Sequence, residues 1–242
     1  MNIFIETEIN DPDNLLPIAD PYAALITPDI IAGWDGLSLE DFSGNGNTLK
    51  FSGQFDNLGM ILDGTANSVI ESPVFERTEF TQIHAWFSQL SPSTYSLWSN
   101  FYTTPSPLYR EGSRFTQLNN STVGQIDVAT TREGAAMYSL QSGVSGGWTI
   151  RSFAINDESL QVTTKGNDVR TVALTMRNKG TKYPIALSGI PADRMSNVGS
   201  VTANPTGHYC FGVMYNRKLS SDECIAKMNI IIQILQDRGV PI

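Results

Sequence analysis

The sequence predicts an all-β domain: two antiparallel sheets packed as a sandwich, closed by one amphipathic helix at the C-terminus. Three observations carry this. Short strand-like runs recur along the chain with turn signals between them. One segment near the end has helical periodicity with its own start and stop signals. The length, 242 residues, suits a single large sandwich with a sizeable buried core.

Residues 2–9 read as a short strand, with Ile3, Ile5 and Ile9 on one face and Glu6 and Glu8 on the other. Pro12, Pro17, Pro21 and Pro28 follow, a density that blocks both helix and inner strand. Residues 1–28 are therefore an N-terminal arm, laid over the domain or over a neighbour, and residues 29–242 form the domain. Strand-like runs then fall at 29–34, 47–53, 58–63, 67–71, 80–90, 94–99, 123–130, 134–140, 147–155, 159–164, 169–176, 183–188 and 208–215. Turn signals such as Ser43-Gly44-Asn45-Gly46 and Asp63-Gly64 separate most of them. The run from Phe80 to Phe87 lacks clean alternation, which suits a central strand packed on both faces.

The helix is expected over 221–238. Ser220 stands at the N-cap and Glu223 three residues on, the pattern of a capping box. Ile225, Met228, Ile232 and Leu235 recur at helical spacing, and Ile230, Ile231 and Ile234 widen the stripe. Gly239 is placed to end the helix and Pro241 to prevent its continuation. A stripe this broad implies docking on the sandwich, or a contact with a second subunit.

Charge and composition exclude some partners. The formal charge is −8 and the pI about 4.7, with no basic stripe evident, so nucleic acid is not expected. No run approaches the about 18 apolar residues of a membrane-spanning helix, so membrane insertion is not expected either. The first residues show neither a basic nor a long apolar segment, which implies synthesis in a cytoplasm without a signal peptide. Cys210 and Cys224 are too few for a disulfide framework, and their spacing does not decide whether they pair.

Three segments together resemble a known family. Ala32-Gly33-Trp34-Asp35 with Asp41-Phe42-Ser43-Gly44-Asn45-Gly46-Asn47 is similar to the opening of concanavalin A-like, laminin-G-like domains. Gly59-Met60-Ile61-Leu62-Asp63-Gly64 with Phe80-Thr81-Gln82-Ile83-His84-Ala85-Trp86 resembles a characteristic strand pair of that family. Phe211-Gly212-Val213-Met214-Tyr215-Asn216-Arg217-Lys218-Leu219-Ser220-Ser221-Asp222-Glu223 looks like its closing strand and capped helix. The resemblance implies a two-sheet jelly roll. It does not imply one function, because this fold hosts lectins, adhesion modules, glycanases and virion proteins. Residues of about 91–200 carry none of it.

Chemistry is sparse. A glycanase needs two carboxylates flanking the scissile bond. The nearest approach, Gln125-Ile126-Asp127 through Glu133, has an amide where a nucleophile would stand. His84 and His208 are the two histidines, and no serine sits in a nucleophile elbow. No catalytic residue is therefore assigned, and the chain is expected not to be an enzyme. Loop oxygens of Asp35, Asp41, Asn45 and Asn47 are candidate calcium ligands, although a self-bonded turn explains them as well. The stretch through Trp98, Asn100, Tyr102, Tyr109 and Arg110, with Asn119 beyond it, offers rings and polar partners for a carbohydrate, or core and interface aromatics.

The resemblance, the acidity and the arm together lead to a first expectation of a bacteriophage virion protein, a capsid-decoration or tail component. Its partners would be other virion proteins or a second copy, engaged through the arm and the helix. The alternative is a carbohydrate-binding module that recognises a host surface glycan for attachment. A glycan hydrolase or lyase comes third.

Overall fold

The structure is a computed structural model that describes residues 20–91, 93–105, 108–118, 123–131, 137–143, 147–166, 168–195 and 201–242. The predicted strand at 2–9, most of the arm, Asn119 and Glu133 lie outside these residues.

The chain folds as an all-β, two-sheet antiparallel jelly-roll sandwich with one C-terminal helix. In chain order the strands are β1 (Ile30–Trp34), β2 (Met60–Asp63), β3 (Ile70–Glu71), β4 (Phe80–Ser88), β5 (Tyr95–Ser99), β6 (Tyr102–Pro105), β7 (Leu108–Glu111) and β8 (Ser113–Gln117). There follow β9 (Val123–Ala129), β10 (Met137–Gly143), β11 (Gly147–Ile155), β12 (Ser159–Thr164), β13 (Val169–Ala173), β14 (Ala186–Ser188) and β15 (Thr206–Tyr215), and then α1 (Ser221–Asp237). One sheet runs β1-β15-β4-β11-β12-β13, with β2 also paired to β15. The second runs β10-β9-β8-β5-β14-β3, and β6 pairs with β7 in a separate two-stranded ribbon.

Two cores result from the period-2 alternation of the central strands. Phe80, Trp86, Phe153, Ile155, Tyr209 and Met214 of the first sheet face Tyr95, Trp98, Phe115, Ile126 and Val128 of the second. The other face of the first sheet carries Ile83, Ala85, Ile150, Ala154, Phe211 and Val213, and α1 covers it. Central β4 is thus buried on both sides, as its unalternating sequence predicts.

The capping box forms as read: Ser220 Oγ accepts from the Glu223 amide, and Glu223 Oε2 accepts from the Ser220 amide at 2.9 Å. The inner face of the helix is Cys224, Met228, Ile231, Ile234 and Leu235, while Ile225 and Ile232 lie at its half-buried margin. Burying each such aliphatic side chain stabilises by about 1.5–3 kcal/mol. Gly239 ends the helix at φ +81°. Both cysteines are free and buried. Residues 20–28 lie on the sandwich: Leu25 is buried against α1's side of the first sheet, its carbonyl accepts from the Tyr215 hydroxyl, and Tyr22 stacks on Phe42. No described helix is long and apolar enough to cross a membrane.

Several expected strands change. Residues 47–53 hold only an isolated bridge, Lys50 beside Glu71 at the end of β3, with one backbone hydrogen bond in each direction. Residues 66–68 form a turn of 3-10 helix capped by the Thr65 side chain. Three strands, β6, β7 and β8, stand between 102 and 117, where the run-and-turn pattern predicts none.

Candidate functional site

The ribbon β6–β7 places Tyr102 opposite Glu111, Thr103 opposite Arg110 and Thr104 opposite Tyr109. Facing residues of an antiparallel pair share a side, so Tyr102, Tyr109 and Glu111 project from one face and Arg110 from the other. The Tyr102 and Tyr109 rings meet edge to face, 6.5 Å between centroids. Tyr183, on the approach to β14, meets Tyr102 in the same way at 5.7 Å. The Lys182 ammonium lies 3.9 Å from the Tyr102 ring centre, a cation–π contact. The Tyr102 hydroxyl raises the Lys182 pKa above the ordinary lysine value. Tyr109 is 44% exposed, and Lys182 faces solvent.

Two buried glutamates brace this face. Glu111 accepts from the amides of Thr181 (3.1 Å) and Lys182 (2.6 Å), from the Thr181 hydroxyl, and from the Tyr109 hydroxyl at 2.9 Å. One carboxylate therefore ties the tyrosine ribbon to the segment that carries Lys182. Glu76 does the same one step back. It accepts from the Arg177 guanidinium at 2.7 Å, the Gly180 amide at 2.9 Å and the Asn100 side chain at 2.9 Å. Its ion pair with Arg177 is almost wholly buried, at 2% and 1% side-chain exposure. Beyond Tyr183, Arg194 packs its guanidinium 4.6 Å from that ring and pairs with Glu71.

The structure brings Tyr102 and Tyr109 together and separates the other predicted sugar contacts from them. Trp98 is a correction: it is 2% exposed and packs edge-on to Phe153 between the sheets, 5.2 Å away, so no ligand reaches it. Asn100 is another. It is buried, its amide donates to Glu76, and its oxygen accepts from the Ser113 amide at 2.9 Å. It shapes the site from beneath. Arg110 stands on the far face of the ribbon from the tyrosines.

The candidate calcium oxygens close the turn at 41–47. Asp41 accepts from the amides of Gly33, Ser43 and Asn47, each at 2.9 Å. Asn45 and Asn47 turn their amides to the carbonyls of β1, and Asp35 accepts from the Tyr22 hydroxyl and the Leu37 amide. Asp41, Asn45 and Asn47 are therefore hydrogen-bonded as closing groups of this turn, and Asp35 is bonded outside it. Among the described residues no group of three His, Cys, Asp or Glu side chains is placed to hold a metal ion.

The histidines are engaged elsewhere. His84 lies in the core between Tyr209 and Gln82, and burial lowers its pKa to about 3. His208 meets Asp56 at 2.9 Å beneath the stacked ring of Trp148. Asp127 is buried, bonded to Arg114, Gln125 and Ser139 on the outer side of the second sheet.

Sequence reasoning missed Glu76, Glu111, Lys182 and Tyr183. The one available signal was the run Arg177-Asn178-Lys179-Gly180-Thr181-Lys182-Tyr183, basic and ring-bearing within an acidic chain.

No family model and no curated protein matches the sequence. Solved structures share the fold. The receptor-binding domain of botulinum neurotoxin type G superposes with a TM-score of 0.60 at 10% identity, over 84% of this chain and 51% of that one. Trypanosoma rangeli sialidase in complex with sialic acid gives 0.55 at 14% identity, over 86% of this chain and 33% of that one. The Ruminococcus gnavus sialidase CBM40 bound to α2,3-sialyllactose gives 0.49 at 16% identity, over 64% and 83%. The chain thus spans about half the length of the neurotoxin chain and a third of the T. rangeli one. At these identities the likeness is one of fold.

Proposed function

We propose that this chain is a non-catalytic carbohydrate-binding module whose sugar-binding face is the cluster of Tyr102, Tyr109, Tyr183 and Lys182. One observation carries the reading: three tyrosine rings and an ammonium gathered on an open face, held in register by a buried carboxylate that spends all its bonds on positioning. Ring faces beside a few fixed polar groups are the means by which proteins hold the apolar side of a sugar while orienting its hydroxyls. Sharing a fold with a neurotoxin receptor-binding domain and with a sialidase solved with sialic acid agrees with this role.

This reverses the order of the two expectations from the sequence. A place in a virion rests on the sequence resemblance, the acidity and the arm, and attachment to a surface glycan is the role that suits either setting. The test is a glycan array probed with the wild-type chain and with Tyr102→Ala and Lys182→Ala. Discrete glycan signals lost in both variants, with unchanged thermal unfolding, are expected. Signals indifferent to both substitutions would move the site elsewhere.

A further inference from the structure

The segment that delivers Lys182 does not end at the tyrosines. Three residues earlier it carries Lys179 into a separate open cleft of about 530 Å³, lined also by Phe75, Arg77, Glu79, Asn47 and Asn216. Phe75 is 47% exposed there, so its ring is open to a ligand in the cleft. Three residues of extended chain cover no more than about 11 Å, so the cleft and the tyrosine cluster lie close to each other along this segment.

The two sites also share their supports. Glu76 lies in the cleft wall and holds the Gly180 amide, while Glu111 holds the next two amides. Between them the buried glutamates fix 180–182, with the Lys179 ammonium on the Thr78 hydroxyl at 3.3 Å and the Lys182 ammonium over the Tyr102 ring. Gly180 is required for this approach: a Cβ on it would stand 2.2 Å from the Asn100 amide nitrogen. In a chain of net charge −8, Arg77 and Lys179 stand in the cleft beside Glu79 and beside Glu76, whose charge is met by Arg177, and Lys182 follows three residues on from Lys179 at the tyrosines.

We infer that the ligand is an extended anionic oligosaccharide, running from the tyrosine cluster across Lys182 and Lys179 to the ring of Phe75. This rests on the carbohydrate-binding reading and adds two properties to it, charge and length. A single terminal sugar would use the tyrosines and leave Phe75, Arg77 and Lys179 idle. A neutral glycan would gain nothing from the two lysines.

The experiment measures affinity for size-graded fragments of polygalacturonate and chondroitin sulfate, with dextran and mannan fragments as neutral controls. Affinity for at least one anionic series is expected to rise with fragment length and to weaken as salt is added. Lys179→Ala and Phe75→Ala are expected to lower affinity several-fold for the long fragments and leave the shortest binding fragment unaffected. Both residues are at the surface, so the fold survives their removal. Preference for the neutral series, or loss in Lys179→Ala that is equal at every length, overturns the inference while the carbohydrate-binding reading stands. Failure of every series to bind, anionic and neutral, overturns both.

Discussion

Asn100 shows how one side chain serves a site it never touches. Its amide bonds Glu76 and its carbonyl oxygen bonds the Ser113 amide, and the backbones of Gly112 and Gly180 close over it. Asn100→Ala leaves a buried carboxylate and an amide each short of a partner. It is expected to destabilise the protein by about 1–3 kcal/mol, measured by urea unfolding. Glu111 has a more local task. Glu111→Ala frees the Thr181 and Lys182 amides, so their hydrogen exchange is expected to accelerate while the core amides of β4 stay protected. Unchanged exchange at those two positions would contradict the bracing role. Sequence alone could not separate Trp98 and Asn100 from Tyr102 and Tyr109. An aromatic at a strand position serves a core or a surface equally well, and only the register of β5 against β8, interrupted between Ser96 and Trp98, turns Trp98 inward.

Among the elements, α1 was the most legible, because its cap, stripe and stop are all local signals. Ser220→Ala removes the N-cap acceptor and is expected to cost about 1 kcal/mol, seen as a lower urea midpoint. The same cap is acid-sensitive. The Arg217 guanidinium bonded to Glu223 holds that carboxyl down at about 2. A depressed folded pKa means the contribution is complete above the ordinary carboxylate range and is lost as pH falls towards 2. The face of the helix was less legible. Spacing placed Ile225 and Ile232 inward, whereas Cys224 and Ile231 are the buried pair. Periodicity gives the width of an apolar stripe but not its centre when isoleucines stand on both flanks. The ribbon β6–β7 went unread because Pro105, Pro107 and the polar residues around them mask its alternation.

At the scale of the molecule, the two-sheet sandwich with its C-terminal helix followed from turn spacing, from the unalternating run that became β4 and from the family-like ends. The functional face did not, because Glu76, Glu111 and the 177–183 segment are far apart in sequence from each other and meet only through the fold. The buried His84 gives the whole sandwich a pH dependence. Its folded pKa lies near 3, below the unfolded value of 6.5, so the unfolded chain takes up a proton first as pH falls. Stability is complete above about 6.5 and declines by about 1.4 kcal/mol per pH unit towards 3 from this group alone. Urea unfolding across pH 4 to 7 is expected to show that slope, reduced in His84→Gln.

The central claim is that a glycan seats on the tyrosine–lysine face. Amide-resolved NMR titration with a glycan selected on the array tests it most directly. The account predicts shifts concentrated in 102–105, 108–111 and 179–183, with the core strand β4 and the rings around His208 unmoved. Shifts gathered around Trp148 and His208, or along α1, with the ribbon β6–β7 silent, would contradict it.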